Sequence, residues 1–187
     1  RFQFDPTALT VPMGRTQNAW LKATAEREQH ITPVDVHIQK EYDTTSRTIN
    51  AKVTAEFVDY GYPGDLRIHF MVVEDRVVGE GRGYDQANAF SNNRSFPNHI
   101  YFSEPNPIPG YVHRHVLRAV PSGAEGTPRV ISNAPAPGDR FSRTYSYTLP
   151  EGYNEDEVSL VAFVAYHNDT RISERYVLNA KEVKLTK

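Results

Sequence analysis

The chain contains no cysteine. That absence removes disulfide frameworks, thiol nucleophiles, thiolate zinc sites and Fe–S clusters in one step. It leaves the compartment open, because a cysteine-free domain has nothing to oxidise in an envelope and nothing to keep reduced in a cytosol. Charge of one sign is missing too: 21 Lys and Arg face 23 Asp and Glu, a net charge of −2. A dedicated nucleic-acid binder carries a basic excess, so no nucleic-acid partner is expected. No apolar run is long enough for a membrane-spanning helix. No apolar signal-peptide core lies near residue 1, so any signal peptide, like any anchoring lipoprotein cysteine, would lie upstream of it. Leucine is scarce, with only eight residues.

What the sequence does hold points to strands. Val, Ile and Thr total 40, and 21 residues are aromatic. β-branched side chains lose χ1 freedom in a helix and suit the pleated surface of a sheet. Eleven Gly and 13 Pro supply turns between strands. At 187 residues the chain is long enough for one domain with a real core.

The periodicity agrees. Val34, Val36 and Ile38 alternate with Asp35, His37 and Gln39, and Ile49, Ala51, Val53, Ala55 and Phe57 alternate with Asn50, Lys52, Thr54 and Glu56. One face of each is buried and one wet. Leu66, Ile68, Phe70 and Val72 continue the pattern, so these three strands are expected to form an antiparallel meander. Further strands are expected over 112–120, 141–149, 158–166 and 172–178, with a last short one over 181–185. The segment 158–166 is apolar on both faces, which suits a central strand. One helix is expected over Ala19–Gln29, capped by Asn18 and stopped by Pro33. The expectation is an all-β, antiparallel two-sheet sandwich of Ig-like or jelly-roll-like type. Residues 1–32 form an N-terminal arm and short helix, and 33–187 form the sandwich domain.

Residues 76–110 break the pattern. They hold Pro97, Pro105, Pro107 and Pro109, four glycines, and Tyr84, Phe90, Phe96, Tyr101 and Phe102 among Asn, Ser and Arg. A stretch this long without periodicity is functional or disordered, and its aromatics favour an ordered excursion. Those five aromatics are the candidate ligand contacts, because loops on a rigid scaffold carry binding and rings supply contact area.

Reaction chemistry is hard to assemble from the remaining residues. His113 and His115 sit at i and i+2 of an expected strand and would share a face, so they are the candidate metal ligands. The plainer reading is a half-wet sheet face or a bond to the long loop. Glu151, Glu155, Asp156 and Glu157 could offer oxygens to calcium but match no EF-hand spacing. Glu74 and Asp75 are adjacent and face opposite sides of a strand, which does not suit paired acid–base work. No GxSxG is present, and Gly79-Glu80-Gly81-Arg82-Gly83 lacks the spacing of a phosphate loop. Phe141, Tyr145 and Tyr147 share a face that packs a core more readily than it stacks on sugars.

Four stretches carry a family resemblance: Val72-Val73-Glu74-Asp75, Tyr111 through Arg118, Asn154 through Val164, and Val177-Leu178-Asn179-Ala180. In this order and at these separations they resemble the C-terminal region of the Omp28-type outer-membrane proteins of Bacteroidota. Pro6 to Arg15, followed by Trp20, resembles the junction where that family leaves a thioredoxin-like segment. The resemblance implies a bacterial outer-membrane or cell-surface location and an adhesin or receptor role. It supplies no catalytic residues. Asp43-Thr44-Thr45 also resembles a short O-glycosylation signal of Bacteroidota envelopes.

The sequence therefore leads to a non-enzymatic, surface-exposed binding module for a host protein or glycan, with no cofactor. Two alternatives stand beside it: a carbohydrate-active or metal-assisted accessory domain, and a structural envelope scaffold.

Overall fold

The computed structural model describes residues 21, 24, 25, 28, 32–61, 63–171 and 175–186. Among the described residues seven strands form two antiparallel sheets, as expected. β1 (Val34–Asp43), β2 (Thr48–Phe57) and β5 (Arg140–Thr148) make a three-stranded sheet in the order β1-β2-β5. β3 (Asp65–Glu74), β4 (Val116–Ala119), β6 (Val158–His167) and β7 (Val177–Lys184) make the other, in the order β4-β3-β6-β7. A 3-10 turn, Glu155–Glu157, leads into β6.

Alternation builds the core. Ile49, Ala51, Val53, Ala55 and Phe57 of β2 are buried and face Leu66, Ile68, Phe70 and Val72 of β3 and Val158, Leu160, Ala162 and Val164 of β6. Tyr145 stacks on Phe70 with ring centres 5.0 Å apart, and Phe141 and Tyr147 pack against the same cluster. The stripe on β5 is thus core. β6 is central, flanked by β3 and β7. Its second apolar face is half-buried beside β3, where Phe163 stacks on His69 at 4.3 Å.

Three expectations change. β1 and β2 pair, but β3 crosses to the other sheet, so there is no three-stranded meander. Alternation tells which face is apolar, and both sheets of a sandwich present the same kind of face. The crossing segment is tied down by Gly61 N–H to Pro135 O (3.0 Å) and Gly64 N–H to Asn133 O (2.9 Å). The strand expected over 112–120 shrinks to Val116–Ala119, because His115 adopts φ 48° and ends the extended run. One strand, Val177–Lys184, replaces the two expected at the C-terminal end, and Ile172–Glu174 lie outside the described residues. Of the expected helix, Leu21, Thr24, Ala25 and Glu28 are described and helical, while the remainder and the arm before it lie outside the described residues.

The turn at Asp43 forms as its residues dictate. Its carboxylate accepts from Thr45 N–H (2.8 Å), Ser46 N–H (3.3 Å) and the Ser46 hydroxyl (2.8 Å), which holds its pKa below the usual carboxylate range. Arg47 follows at φ 52° and reaches across to Glu155 Oε2 (2.8 Å) and Tyr153 O (2.7 Å), clamping the β1–β2 turn to the approach to β6.

Candidate functional site

The irregular excursion leaves the end of β3 and returns at β4, spanning Asp75 to His115. Two acidic side chains fix its base. Glu74 is buried and accepts from Arg118 Nε (2.7 Å) and from Asn154 N–H (2.8 Å). Arg118 lies flat over Tyr153, with its guanidinium carbon 4.4 Å from the ring centre. Asp75, the first residue beyond β3, has a separate set of partners. It accepts from His115 N–H (2.8 Å) and Lys184 Nζ (3.4 Å), and these contacts hold its carboxyl below the ordinary range. The carboxylates are thus committed to closing the loop.

Inside the excursion, backbone pairing is sparse: isolated bridges join Val77 to His113 and Gln86 to Ile108. Turn bonds and the bond from Asn92 N–H to Phe102 O (2.9 Å) add to them, and Asn88 supplies side-chain ties. It is 4% exposed and its amide nitrogen donates to the carbonyls of Tyr101 (2.9 Å), Glu104 (3.1 Å) and Pro105 (3.2 Å). Its oxygen accepts from Phe90 N–H (3.0 Å), and its own N–H donates to Asn106 Oδ1 (3.0 Å). One side chain therefore ties the start of the loop to its far limb.

Around that knot runs a chain of rings. Phe96 meets Phe90 edge-on at 5.5 Å, and Phe90 stacks on His99 at 3.6 Å. His99 tilts against Tyr101 at 5.6 Å, Tyr101 meets Tyr111 at 6.1 Å, and Tyr111 meets His113 at 5.0 Å. His99 Nδ1 accepts from Tyr101 N–H (3.2 Å). Hydrogen bonding to Tyr111 pushes the Tyr101 hydroxyl above the usual tyrosine range and keeps it neutral.

The five expected contact residues divide. Tyr84 and Phe96 stand out at 41% and 53% exposure, whereas Phe90, Tyr101 and Phe102 are half-buried in the loop's own packing. Ile100, at 80%, is the most exposed large apolar side chain among the described residues, and Val78 and Val112 join it on the excursion. The sequence reading missed these three, since isolated aliphatic residues among Asn and Pro carry no periodic signal. Nor did anything in the sequence single out Asn88, whose partners lie 13 to 17 residues further along.

His113 and His115 do not share a strand face. His113 Nε2 sits 2.7 Å from Tyr84 O, while His115 lies between Asp75 Oδ1 (3.3 Å) and Glu182 Oε1 (3.3 Å). The i, i+2 rule needs extended backbone on both sides, and φ 48° at His115 removes it. Among the described residues no three His, Asp or Glu side chains are gathered to hold a metal. Glu155, Asp156 and Glu157 face different partners: Arg47, Thr186 and Arg76. A concave feature of about 700 Å³ lies on the wet face of the three-stranded sheet, between His37, Lys52, Thr54, Glu56 and Arg140 of that sheet and Lys181 of β7.

The pattern that defines the family described as "Outer membrane protein Omp28" matches residues 9–187. HBP35 of Porphyromonas gingivalis has a similar fold, with a TM-score of 0.57 at 16% identity over 91% of this chain and 46% of that one. The chain thus spans about half the length of that protein. A domain of the outer membrane lipoprotein Omp28 from the same organism aligns over 83% of this chain and 90% of its own, with a TM-score of 0.47 and 18% identity. No curated protein matches this chain.

Proposed function

The chain belongs to the Omp28 family of outer-membrane proteins, and from that premise we propose that it is a non-enzymatic binding module of the bacterial outer membrane or cell surface, with the excursion as its recognition element. One observation carries the reading. The hydrophobic core takes no residue from 75–118, yet that stretch keeps Tyr84, Phe90, Phe96, Tyr101, Phe102 and Tyr111. Those rings are therefore not there to hold the sandwich together. Phe90, Tyr101, Phe102 and Tyr111 are half-buried and brace the loop, while Tyr84 and Phe96 face water, as a pre-ordered contact surface requires. Aromatic anchors on a rigid support give large contact area at little entropic cost. A host protein or glycan is the partner this surface suits, and the role is that of an adhesin or receptor.

The test is binding of the purified chain to a panel of host matrix proteins and glycans, beside a Tyr84→Ala/Phe96→Ala/Ile100→Ala variant. All three side chains are exposed, so thermal stability should stay within about 1 kcal/mol. Saturable binding by the parent that drops at least tenfold in the variant is expected. Unchanged binding in a folded variant would remove the excursion from the role.

A further inference from the structure

β5 is an edge strand, and its free edge is open. Phe57 N–H donates to Asp139 O (2.9 Å) and Leu149 N–H donates to Arg47 O (2.8 Å). In an antiparallel ladder these bonds alternate along the strand. The backbones of Phe141, Arg143, Tyr145 and Tyr147 therefore face β2. Arg140, Ser142, Thr144, Ser146 and Thr148 turn their N–H and C=O groups away from it. Among the described residues those outward groups have no partner, and all five residues are exposed. The strand contains neither proline nor glycine, and its register with β2 runs unbroken over nine pairs.

Other edges are guarded. β4 is four residues long, and its pairing with β3 is interrupted by a register shift. β1 and β7 close on each other: Thr32 Oγ1 donates to Leu178 O (3.0 Å), Asn179 Nδ2 donates to Val34 O (2.9 Å), and Lys40 Nζ donates to Leu185 O. A long, straight, unprotected edge is a template for another strand.

We propose that the β5 edge is an assembly surface whose occupant is β5 of a second copy, paired antiparallel about a two-fold axis at Thr144. The argument is the strand's self-complementarity. Thr144 is the midpoint of Arg140–Thr148 and is one of the outward-facing residues. A two-fold axis there pairs Thr144 with itself, Ser142 with Ser146 and Arg140 with Thr148, so every open backbone group meets another. On the alternate positions Phe141 falls opposite Tyr147, a pairing of ring with ring, and Arg143 opposite Tyr145. Both charges of the strand are positive and lie in its first half, so the antiparallel arrangement sets no like charges directly opposite. A parallel arrangement would oppose each arginine to itself. The result is a six-stranded sheet running β1-β2-β5 from one copy into β5-β2-β1 of the other. It leaves the excursion untouched and does not depend on the role proposed for it.

The test uses Thr144, the residue that would meet its own copy. Sedimentation velocity over a concentration series should show the parent chain dimerising. Thr144→Lys and Thr144→Glu should each weaken the dimer at least tenfold, because like charges directly opposite each other repel. Mixing the two variants should restore the dimer, an outcome only an axis at this residue provides. Thr144→Pro should also be monomeric yet folded, since the N–H it removes has no partner within the chain. A parent chain that stays monomeric at its solubility limit overturns the proposal, and so does a dimer that persists in both charged variants. A monomer that instead takes up an extended peptide, with amide protection over 140–148, would reassign the edge to a foreign strand and equally overturn it.

Discussion

Replacing Asn88 by Ala should loosen the excursion and leave the sandwich standing. The two amide hydrogens of Asn88 serve three carbonyls, and its oxygen serves Phe90 N–H, all at 4% exposure. A net intramolecular hydrogen bond contributes about 1 kcal/mol, and a buried group left without a partner adds a desolvation cost. Four bonds lost, with part of the freed polar surface regaining water, give a local destabilisation of about 2–3 kcal/mol. Each 1.4 kcal/mol is a factor of ten, so the open population of the loop should rise about 30- to 150-fold. The bonds lie wholly within residues 88–105 and none reaches the core cluster, so global unfolding should move much less. Native-state hydrogen exchange reads both quantities at once. Amides such as Phe90, Asn92 and Phe102 should lose protection by that factor, while those of β2 and β6 keep theirs. Unchanged exchange within the loop, or an equal loss in β2 and β6, would refute the reasoning. In the first case the rings alone would hold the loop, and in the second the loop and core would unfold as one unit.

Two further outcomes follow from the charged groups. Burial holds His69 below the ordinary histidine pKa, and among the described residues its Nδ1 has no partner. The unfolded chain then binds a proton that the native one resists, so stability is present above about pH 6.5 and lost as pH falls below it. Urea midpoints at pH 7 and pH 5 should show a smaller acid loss in His69→Leu than in the parent, and equal losses would count against this role. Glu74→Ala leaves the Arg118 guanidinium without its carboxylate partner, at a cost of about 2–4 kcal/mol. Thermal unfolding should show it, and a Glu74→Ala/Arg118→Met double variant should recover part of the loss.

Much of the fold was legible in the sequence because alternation is a physical readout of burial. Ile49 through Phe57 read as a half-buried strand and are one, and the two-sided apolar run at 158–166 is the central strand it had to be. What alternation does not encode is the partner. Leu66 to Val72 look the same whether they extend the first sheet or open the second, so the meander was misread. The excursion was legible as a break in pattern, and its ordering as a surplus of rings. Its inner logic was not. Asn88 looks like any loop asparagine until the chain folds back on it. His113 and His115 look paired only if the backbone stays extended, and a single left-handed residue undoes the pairing. Gly126 is similar: it sits at φ 72°, where a Cβ would stand 2.6 Å from His69 Nε2, and only the folded structure reveals that closeness.

The way the excursion is held bears on what it can do. Its apolar anchors are few: Val77 and Ile108 are buried, and each sits in a single bridge. Most of its order comes from hydrogen bonds and stacked rings on polar supports, Asn88 within and Glu74 and Asp75 at the base. Such order is local, so the loop can open without cost to the sandwich, and segments of this kind fall at the low end of a protein's internal stability scale. A loop held by core packing would be rigid but would tie its sequence to the fold. A loop held by a polar knot keeps its shape while its outward residues remain free to vary. Ile100, Phe96 and Tyr84 are such residues: each is exposed, none belongs to the core, and each rests on a support that replacing it would not remove. That separation of support from surface is what the proposed recognition role needs, and it is why the knot and the surface can be tested one at a time.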